Sequence, residues 1–453
     1  MIQINTLALA EVLRGELLGA DVDICGASID ARSLQSGNLF FALQGEHSDG
    51  HVYLGQALAA GASAAIVERH IVDSELPQII VNNARQALGQ LAAWWRTQLS
   101  CKIAAVTGSN GKTTVKEMLA AILSQSGKTL ATEGNFNNDL GMPLTLLRIA
   151  KDHDYAVLEM GANHFGEVEY MTHIAKPDVA LVNNAGPAHL EGFGDVSGVA
   201  RAKGEIYSGL NNKGVAIINA DDAKADVWRS LCADKVTSTF ALESTADVTG
   251  IWSALDNKLM INAQDKSVSV QMHLLGRHNA LNALAATAAA LAAGVDLAEV
   301  KVGLENVQAV AGRLKLSIPR AGLQLIDDSY NANPASLLAG AQVAVDMSGN
   351  EAWLVLGDLG ELAGDPAQVH ADLGAKLKKM GITRLFTLGT YSAHAARVFN
   401  QGALSFTSID ELLIALNSAL TEGDITLLVK GSRSSRMERV VAALSANVKT
   451  GDQ

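Results

Sequence analysis

The chain has 453 residues, 48% of them hydrophobic and 18% charged, with a formal net charge of −12. That length accommodates about three domains of ordinary size, and the acidic balance excludes a nucleic-acid partner read through a basic surface. Three cysteines, Cys25, Cys101 and Cys232, lack metal or redox spacing, which fits a reducing compartment and excludes a disulfide scaffold.

In chain order, Met1 to Glu16 shows no basic stretch followed by an apolar core, so a soluble, cytoplasmic protein is expected. Residues 1–83 read as a small α/β domain. Helix periodicity runs from Leu7 to Leu18, strands are predicted at 38–43, 64–67 and 78–81, and a helix from Val52 to Ala60 stops at Gly61. Gln44-Gly45-Glu46-His47-Ser48-Asp49-Gly50-His51 is a polar, glycine-flanked loop that reads equally as a surface turn and as a ligand loop.

Residues 84–316 alternate strand and helix around one stretch, Val106-Thr107-Gly108-Ser109-Asn110-Gly111-Lys112-Thr113-Thr114. The apolar run Ile103 to Val106 predicts a buried strand leading into it. Val115, Met118, Leu119, Ile122 and Leu123 recur at helix spacing after it, and Ser126-Gly127 ends that helix. Strand, glycine loop, Lys-Thr and helix is the arrangement that holds a nucleoside triphosphate. Backbone N–H groups and the helix N-terminus receive the phosphates, Lys112 reaches the β/γ positions, and the Thr113 hydroxyl can ligate Mg²⁺. The spacing departs from the common pattern, since Gly108 and Gly111 enclose two residues instead of four.

Further strands are predicted at 129–131, 155–160, 179–183 and 215–219, which makes a mostly parallel sheet with helices on both faces. Ala280 to Ala293 is too short and too alanine-rich to span a bilayer. Residues 317–453 alternate again, with strands near 323–327, 353–356, 385–388 and 425–429. Pro334 and Pro366 stand where first helical turns begin. This is a second, smaller parallel α/β domain.

Ligands in such sheets collect beyond the C-terminal strand ends, where Glu159, His189 and, in a later helical stretch, Lys203 lie. Glu159 is placed for Mg²⁺ ligation. Taken singly, it reads equally as a solvated loop acid, His189 as a hydrogen-bonded histidine and Lys203 as a surface lysine. Asn279 and Asn282 share one face of a helix's first turn, where a capping role competes with contact to an adenine edge. Asp327 and Asp328 end a strand, as a cap cluster or as a ribose ligand. No Asn-Lys-x-Asp guanine-reading motif occurs, which weighs against a nucleotide-dependent switch.

With these residues in view, the chain resembles the Mur ligases, cytoplasmic ATP-dependent amide-bond ligases that build the peptidoglycan stem peptide. The resemblance spans the whole length and rests on Thr107 to Thr114, Gly276-Arg277-His278-Asn279 with Asn282, Gly312-Arg313, and the block from Asp328. It accounts for the short phosphate loop. Other stretches resemble the branch that adds D-Ala-D-Ala to UDP-MurNAc-tripeptide: Phe40 to Glu46 with Asp49-Gly50-His51, Gly134 to Pro143, Asp327 to Pro334, and Val429 to Arg433. The Asp-Asn-Pro-Arg tetrapeptide usual in the branch that adds the third-position diamino acid is absent. A folylpolyglutamate synthase-like ligase shares the central fold but lacks the ~80 residues placed ahead of it here.

The resemblance implies an α/β chain of three domains: an N-terminal UDP-sugar-binding domain, a central P-loop ATPase-like parallel-sheet domain and a C-terminal Rossmann-like domain. It implies ATP and two Mg²⁺ ions as cofactors, with Gly108, Ser109, Asn110, Gly111, Lys112, Thr113 and Thr114 on the phosphates. Glu159, His189 and Lys203 would serve the metals, Lys203 as a carbamate formed with CO₂. Asn279 and Asn282 would face adenine, Arg313 the phosphates and Asp328 the ribose. Ser33, Gly45, Asp49 and His51 would hold the UDP-sugar, with Asn137 and Asn138 along the tripeptide. Lys430, Ser432 and Arg433 would meet the incoming dipeptide or serve the closing domain. An acyl-phosphate intermediate, domain closure that excludes water, and a monomer without nucleic-acid or membrane partners are expected.

Overall fold

A computed structural model describes the chain except for residues 46–47, 188–189, 350, 361, 363, 421–423 and 447–453. The chain forms two compact units. One comprises residues 1–184, 200–249 and 284–303, the other residues 185–199, 250–283 and 304–453. Among the described residues no helix is long and apolar enough to cross a membrane.

In the first unit the opening helix spans Thr6–Leu13, with the Asn5 side chain accepting the Ala8 N–H as its cap. It ends at Arg14, whose backbone is left-handed at φ 53°. The helix expected as far as Leu18 therefore stops five residues early, and Glu16–Leu18 is an edge strand antiparallel to Gln78–Ile80. Gly15 permits that approach, because a Cβ there would lie 2.7 Å from the Ile80 carbonyl oxygen. The small sheet continues through Ala64–Val67, Leu39–Phe41 and Ala27–Ser28.

The larger sheet of this unit places the phosphate-loop strand, Lys102–Thr107, between Val179–Val182 and Tyr155–Glu159, all parallel. Thr129–Ala131 lies outside Tyr155–Glu159; Val215–Asn219 and then Val236–Ala241 lie outside Val179–Val182. The inner strands are continuously buried, as strands covered on both faces must be. The helix after the loop spans Lys112–Leu123 and ends before Ser126-Gly127.

In the second unit, Lys258–Ala263 and Lys266–Gln271 form an antiparallel hairpin. Its turn residues Gln264 and Asp265 both have positive φ, the geometry of a two-residue hairpin turn without the glycine that would announce it. The C-terminal sheet runs in the order Lys315–Arg320, Leu323–Asp328, Ile425–Lys430, Glu351–Gly357, Ile382–Leu388, Ala403–Phe406. Only the first pairing is antiparallel. Alternate residues feed two cores. Ile326, Leu354 and Leu428 meet Leu337 and Leu373, whereas Leu325, Val355 and Leu427 meet Leu412 and Val440. Pro334 and Pro366 are the first residues of their helices, with Asn333 and Asp365 as side-chain caps.

Helix Leu297–Glu305 packs on the phosphate-loop helix through Gly303, where a Cβ would lie 2.4 Å from Ile122 Cα and 2.7 Å from its nitrogen. The obstacle is backbone and cannot swing aside. Gly303→Ala is expected to cost about 2–3 kcal/mol. A thermal melt unchanged from the parent would contradict this packing.

Candidate functional site

The phosphate loop is shaped by its neighbours. Gly108 has φ +152°, and a Cβ there would lie 3.1 Å from Asn183 Cβ and 3.2 Å from Asn184 N. The Asn184 carboxamide oxygen accepts the Asn110 N–H at 2.8 Å, and the Asn183 and Asn184 side-chain amides donate to the Asn110 carbonyl at 2.9 and 3.1 Å. Gly111, left-handed at φ +77°, then starts the helix. Lys112 folds over the loop and donates to the Gly108 carbonyl at 2.8 Å. Loop, helix N-terminus and ammonium together suit an anion.

Glu159 is the last residue of its strand and is 2% exposed, so the solvated-acid reading is excluded. Thr113 Oγ1 donates to Glu159 Oε2 at 2.9 Å, and Asn137 Nδ2 donates to Oε1 at 2.8 Å. The Thr132 hydroxyl accepts the Glu159 N–H at 3.0 Å. A hydroxyl beside a carboxylate is an all-oxygen donor set that fits Mg²⁺, an ion that keeps several waters and takes phosphate oxygens. Among the described residues no group of three or more His, Cys, Asp or Glu forms a closed metal cage. His189 lies outside the described residues.

Lys203 is buried at 1% exposure, which overturns the surface reading. Its Nζ donates to the Ala162 carbonyl at 3.2 Å. Burial, reinforced by the Lys112 charge and opposed by Glu167 and Glu205, pushes it down to about 7. Glu205 is occupied elsewhere: its carboxylate accepts the N–H groups of Gly166 and Glu169 at the start of helix Glu167–Ala175.

The residues expected to serve the UDP-sugar are held by local bonds. His51 is buried; its Nε2 accepts the Glu68 N–H at 2.9 Å and its Nδ1 lies 2.6 Å from Asp49 Oδ1. Both ring nitrogens are engaged, so His51 fixes the loop instead of offering a free donor. Asp49 also pairs with Arg69, whose bond is the first cause holding its carboxyl well below the usual range. Exposed Ser33 and Gly45 cap short turns, Ser33 Oγ donating to the Asp30 carbonyl and Gly45 N to Ser48 O. Asn138 Oδ1 accepts the Gly141 N–H at 2.8 Å at the entry of helix Gly141–Arg148.

In the second unit, Asn279 and Asn282 are buried and bonded to each other, Asn282 Nδ2 donating to Asn279 Oδ1 at 3.0 Å. Asn279 Nδ2 donates to the Leu275 carbonyl at 2.8 Å. The Arg313 guanidinium stacks on Tyr330 at 4.4 Å. Asp328 pairs with buried Lys430, which also donates to the Asn331 carbonyl at 3.1 Å. Burial raises the Asp328 carboxyl above its ordinary range even against the Lys430 charge. Ser432 Oγ donates to the Asp358 carbonyl at 2.6 Å, and exposed Arg433 lies 3.3 Å from Glu438.

Sequence reasoning gave no role to Asn184, Thr132 or Lys116. Asn184 carried a signal, a polar pair at a strand end. Lys116, buried and donating to the Thr132 carbonyl at 2.7 Å, carried only its place among apolar neighbours on the loop helix.

Three family profiles match: the Mur ligase family catalytic domain over residues 23–96, the Mur ligase middle domain over 106–290, and the Mur ligase glutamate ligase domain over 312–433. The UDP-N-acetylmuramoyl-tripeptide–D-alanyl-D-alanine ligase of Escherichia coli K12 is 45% identical over 453 residues, covering 99% of both chains. A crystal structure of MurF from Acinetobacter baumannii superposes with a TM-score of 0.92 at 38% identity, covering 98% of this chain and 99% of that one. The MurF ligase of Thermotoga maritima in complex with ADP gives 0.83 at 26% identity, over 94% and 98% of the two chains.

The pair in the second unit yields a test. Lys430→Met leaves Asp328 buried without its cation, a loss of about 3–5 kcal/mol. Denaturant unfolding is expected to show that loss and to show part of it restored in Lys430→Met with Asp328→Asn. Equal stability of parent and single variant would contradict a buried pair.

Proposed function

The chain belongs to the Mur ligase family, and from that premise we propose that it is the ligase that adds D-Ala-D-Ala to UDP-MurNAc-tripeptide. The products are UDP-MurNAc-pentapeptide, ADP and phosphate, in peptidoglycan precursor synthesis. Support comes from the full-length relatives and from one observation above all: a phosphate loop whose Thr113 hydroxyl stands 2.9 Å from a buried carboxylate, Glu159. We divide the domains at 83/84 and 316/317 and assign the enzyme to the cytoplasm as a monomer.

The chemistry sets two anions against each other. The tripeptide carboxylate attacks the γ-phosphorus; the new O–P bond forms as the β–γ bridging bond breaks, giving an acyl phosphate and ADP. The amine of D-Ala-D-Ala then attacks the acyl carbon and expels phosphate. Lys112 and the N–H groups of Ser109 to Thr114 hold the triphosphate and stabilise its spreading charge. Thr113, Glu159, His189 and Lys203 are the residues that would hold magnesium, which when bound supplies further charge neutralisation. Asn137 and Asn138 line the tripeptide; the first domain, around Ser33, Gly45, Asp49 and His51, holds the UDP-sugar. Asn279 and Asn282 serve adenine, Arg313 the phosphates and Asp328 the ribose. Lys430, Ser432 and Arg433 serve the incoming dipeptide.

Lys203 acts as a carbamate. Its depressed proton affinity leaves a neutral amine near physiological pH, whose nitrogen can bond CO₂ and release a proton to leave an anionic oxygen ligand.

The deciding experiment is phosphate release in the presence of each amine. Release that requires both UDP-MurNAc-tripeptide and D-Ala-D-Ala supports the reading; preference for a diamino acid on a UDP-sugar dipeptide overturns it. Lys112→Ala is expected to lose about 10²–10³-fold in kcat while remaining folded. Activity within tenfold of the parent at saturating ATP would contradict the loop's role.

Lys203→Ala is expected to lose most activity and to recover some with added acetate or formate. Lys203→Arg is expected to stay inactive, because a guanidinium keeps its charge and forms no carbamate. Parent-like activity in Lys203→Ala, or an intact protein mass without the carbamate under CO₂-trapping conditions, would overturn this role.

A further inference from the structure

Lys116 stands one turn beyond Lys112 and Thr113 on helix Lys112–Leu123, at 2% exposure among buried Val115, Met118 and Leu119. An aliphatic side chain would suit that surrounding without the desolvation cost of an ammonium. The ammonium instead donates to the Thr132 carbonyl at 2.7 Å and pairs with Glu117 at 2.6 Å. Thr132 follows strand Thr129–Ala131 and extends its pairing, its N–H donating to the Val157 carbonyl at 3.0 Å. Its hydroxyl accepts the Glu159 N–H at 3.0 Å.

The chain then runs from Thr132 into residues 133–138. There the Asn137 side chain holds Glu159 Oε1 at 2.8 Å, and the Asn137 carbonyl accepts the Gly161 N–H at 2.7 Å. One helix therefore grips Glu159 twice. Thr113 holds one carboxylate oxygen directly, and Lys116 anchors the root of the loop whose Asn137 holds the other. The bond through Lys116 carries a charge, which makes it stronger and shorter than a neutral one.

We propose that Lys116 is a positioning residue that couples the nucleotide loop to the loop of residues 133–138. Filling the phosphate loop then tightens the seat of the peptide substrate, and the peptide substrate tightens nucleotide binding to the same degree. The inference rests on the function proposed above, because it takes UDP-MurNAc-tripeptide as the ligand of that second loop.

The test is a calorimetric titration of the full-length enzyme with UDP-MurNAc-tripeptide, with and without a non-hydrolysable ATP analogue and Mg²⁺. In the parent the analogue is expected to tighten tripeptide binding by about fivefold or more. In Lys116→Met most of that factor is expected to vanish, with affinity for the analogue alone kept within about threefold. In steady state, KM for the UDP-tripeptide rises while KM for ATP at low tripeptide holds, a split that simple destabilisation does not produce. Lys116→Arg, which keeps a charged donor, is expected to recover part of the factor. Thr132→Val keeps the carbonyl that Lys116 holds, removes the hydroxyl bonds to the Glu159 N–H and the Val157 carbonyl, and reads the Thr132–Glu159 step of the same linkage should Lys116→Met fold poorly. Undiminished coupling in Lys116→Met or, where that variant fails to fold, in Thr132→Val overturns the inference, as does a parent without coupling. A parent that neither binds UDP-MurNAc-tripeptide nor ligates D-Ala-D-Ala to it overturns the proposed function as well. A parent that ligates normally beside a fully coupled variant overturns this inference alone.

Discussion

A carboxylate withdrawn from water must be met by donors, and the first unit is built so that Glu159 is met. Its two oxygens are taken by Thr113 and Asn137, and its backbone is pinned by Thr132. Those three residues come from the phosphate-loop helix, from the loop after a neighbouring strand and from the end of that strand. Their convergence follows from the sheet order, in which the strands of Glu159 and of the phosphate loop are adjacent and parallel, so that both chain ends emerge on one side. The same acid that needs compensation is the one a divalent cation would use, which is why the local network and the proposed chemistry coincide.

Among the described residues, three buried lysines solve the problem of a hidden ammonium in different ways. Lys430 keeps a carboxylate beside it, Asp328. Lys116 meets a carbonyl and the carboxylate of its sequence neighbour. Lys203 donates to the Ala162 carbonyl at 3.2 Å, and burial with the nearby Lys112 charge lowers its proton affinity against the pull of Glu167 and Glu205. A buried amine whose proton affinity is lowered is the kind that can act as a nucleophile. Burial alone therefore does not mark a lysine as reactive; the balance of charges around it does.

Much of the fold was legible because parallel strands buried on both faces print themselves as apolar runs, as at Ile103 to Val106 and Val179 to Val182. Pro334 and Pro366 marked helix starts for a covalent reason, the missing N–H. The opening helix ends short of its apolar period because Leu17 and Leu18 satisfy a helical period and an edge strand alike; left-handed Arg14 decides between them and has no apolar signature. The hairpin 258–271 was hidden because Gln264 and Asp265 adopt a turn usually written with asparagine and glycine. Of the candidate site, the residues in one contiguous motif were plain. Asn184 and Thr132 were not, since each acts across more than twenty residues of sequence on a partner chosen by the sheet.

That long reach has a consequence for how the protein is made. Asn110 is clamped by Asn184 across 74 residues, and its strand is flanked by segments that follow it by about 50 and 75 positions. Synthesis delivers the loop long before its clamp. Until residue 184 has left the ribosome, Gly108 and Gly111 have nothing to hold their left-handed backbones, and the cost of closing that span has not been met. A nascent chain shorter than this carries the nucleotide motif in its sequence but not the cradle, so the loop takes its shape only after residue 184 has been made, an order set by sheet topology.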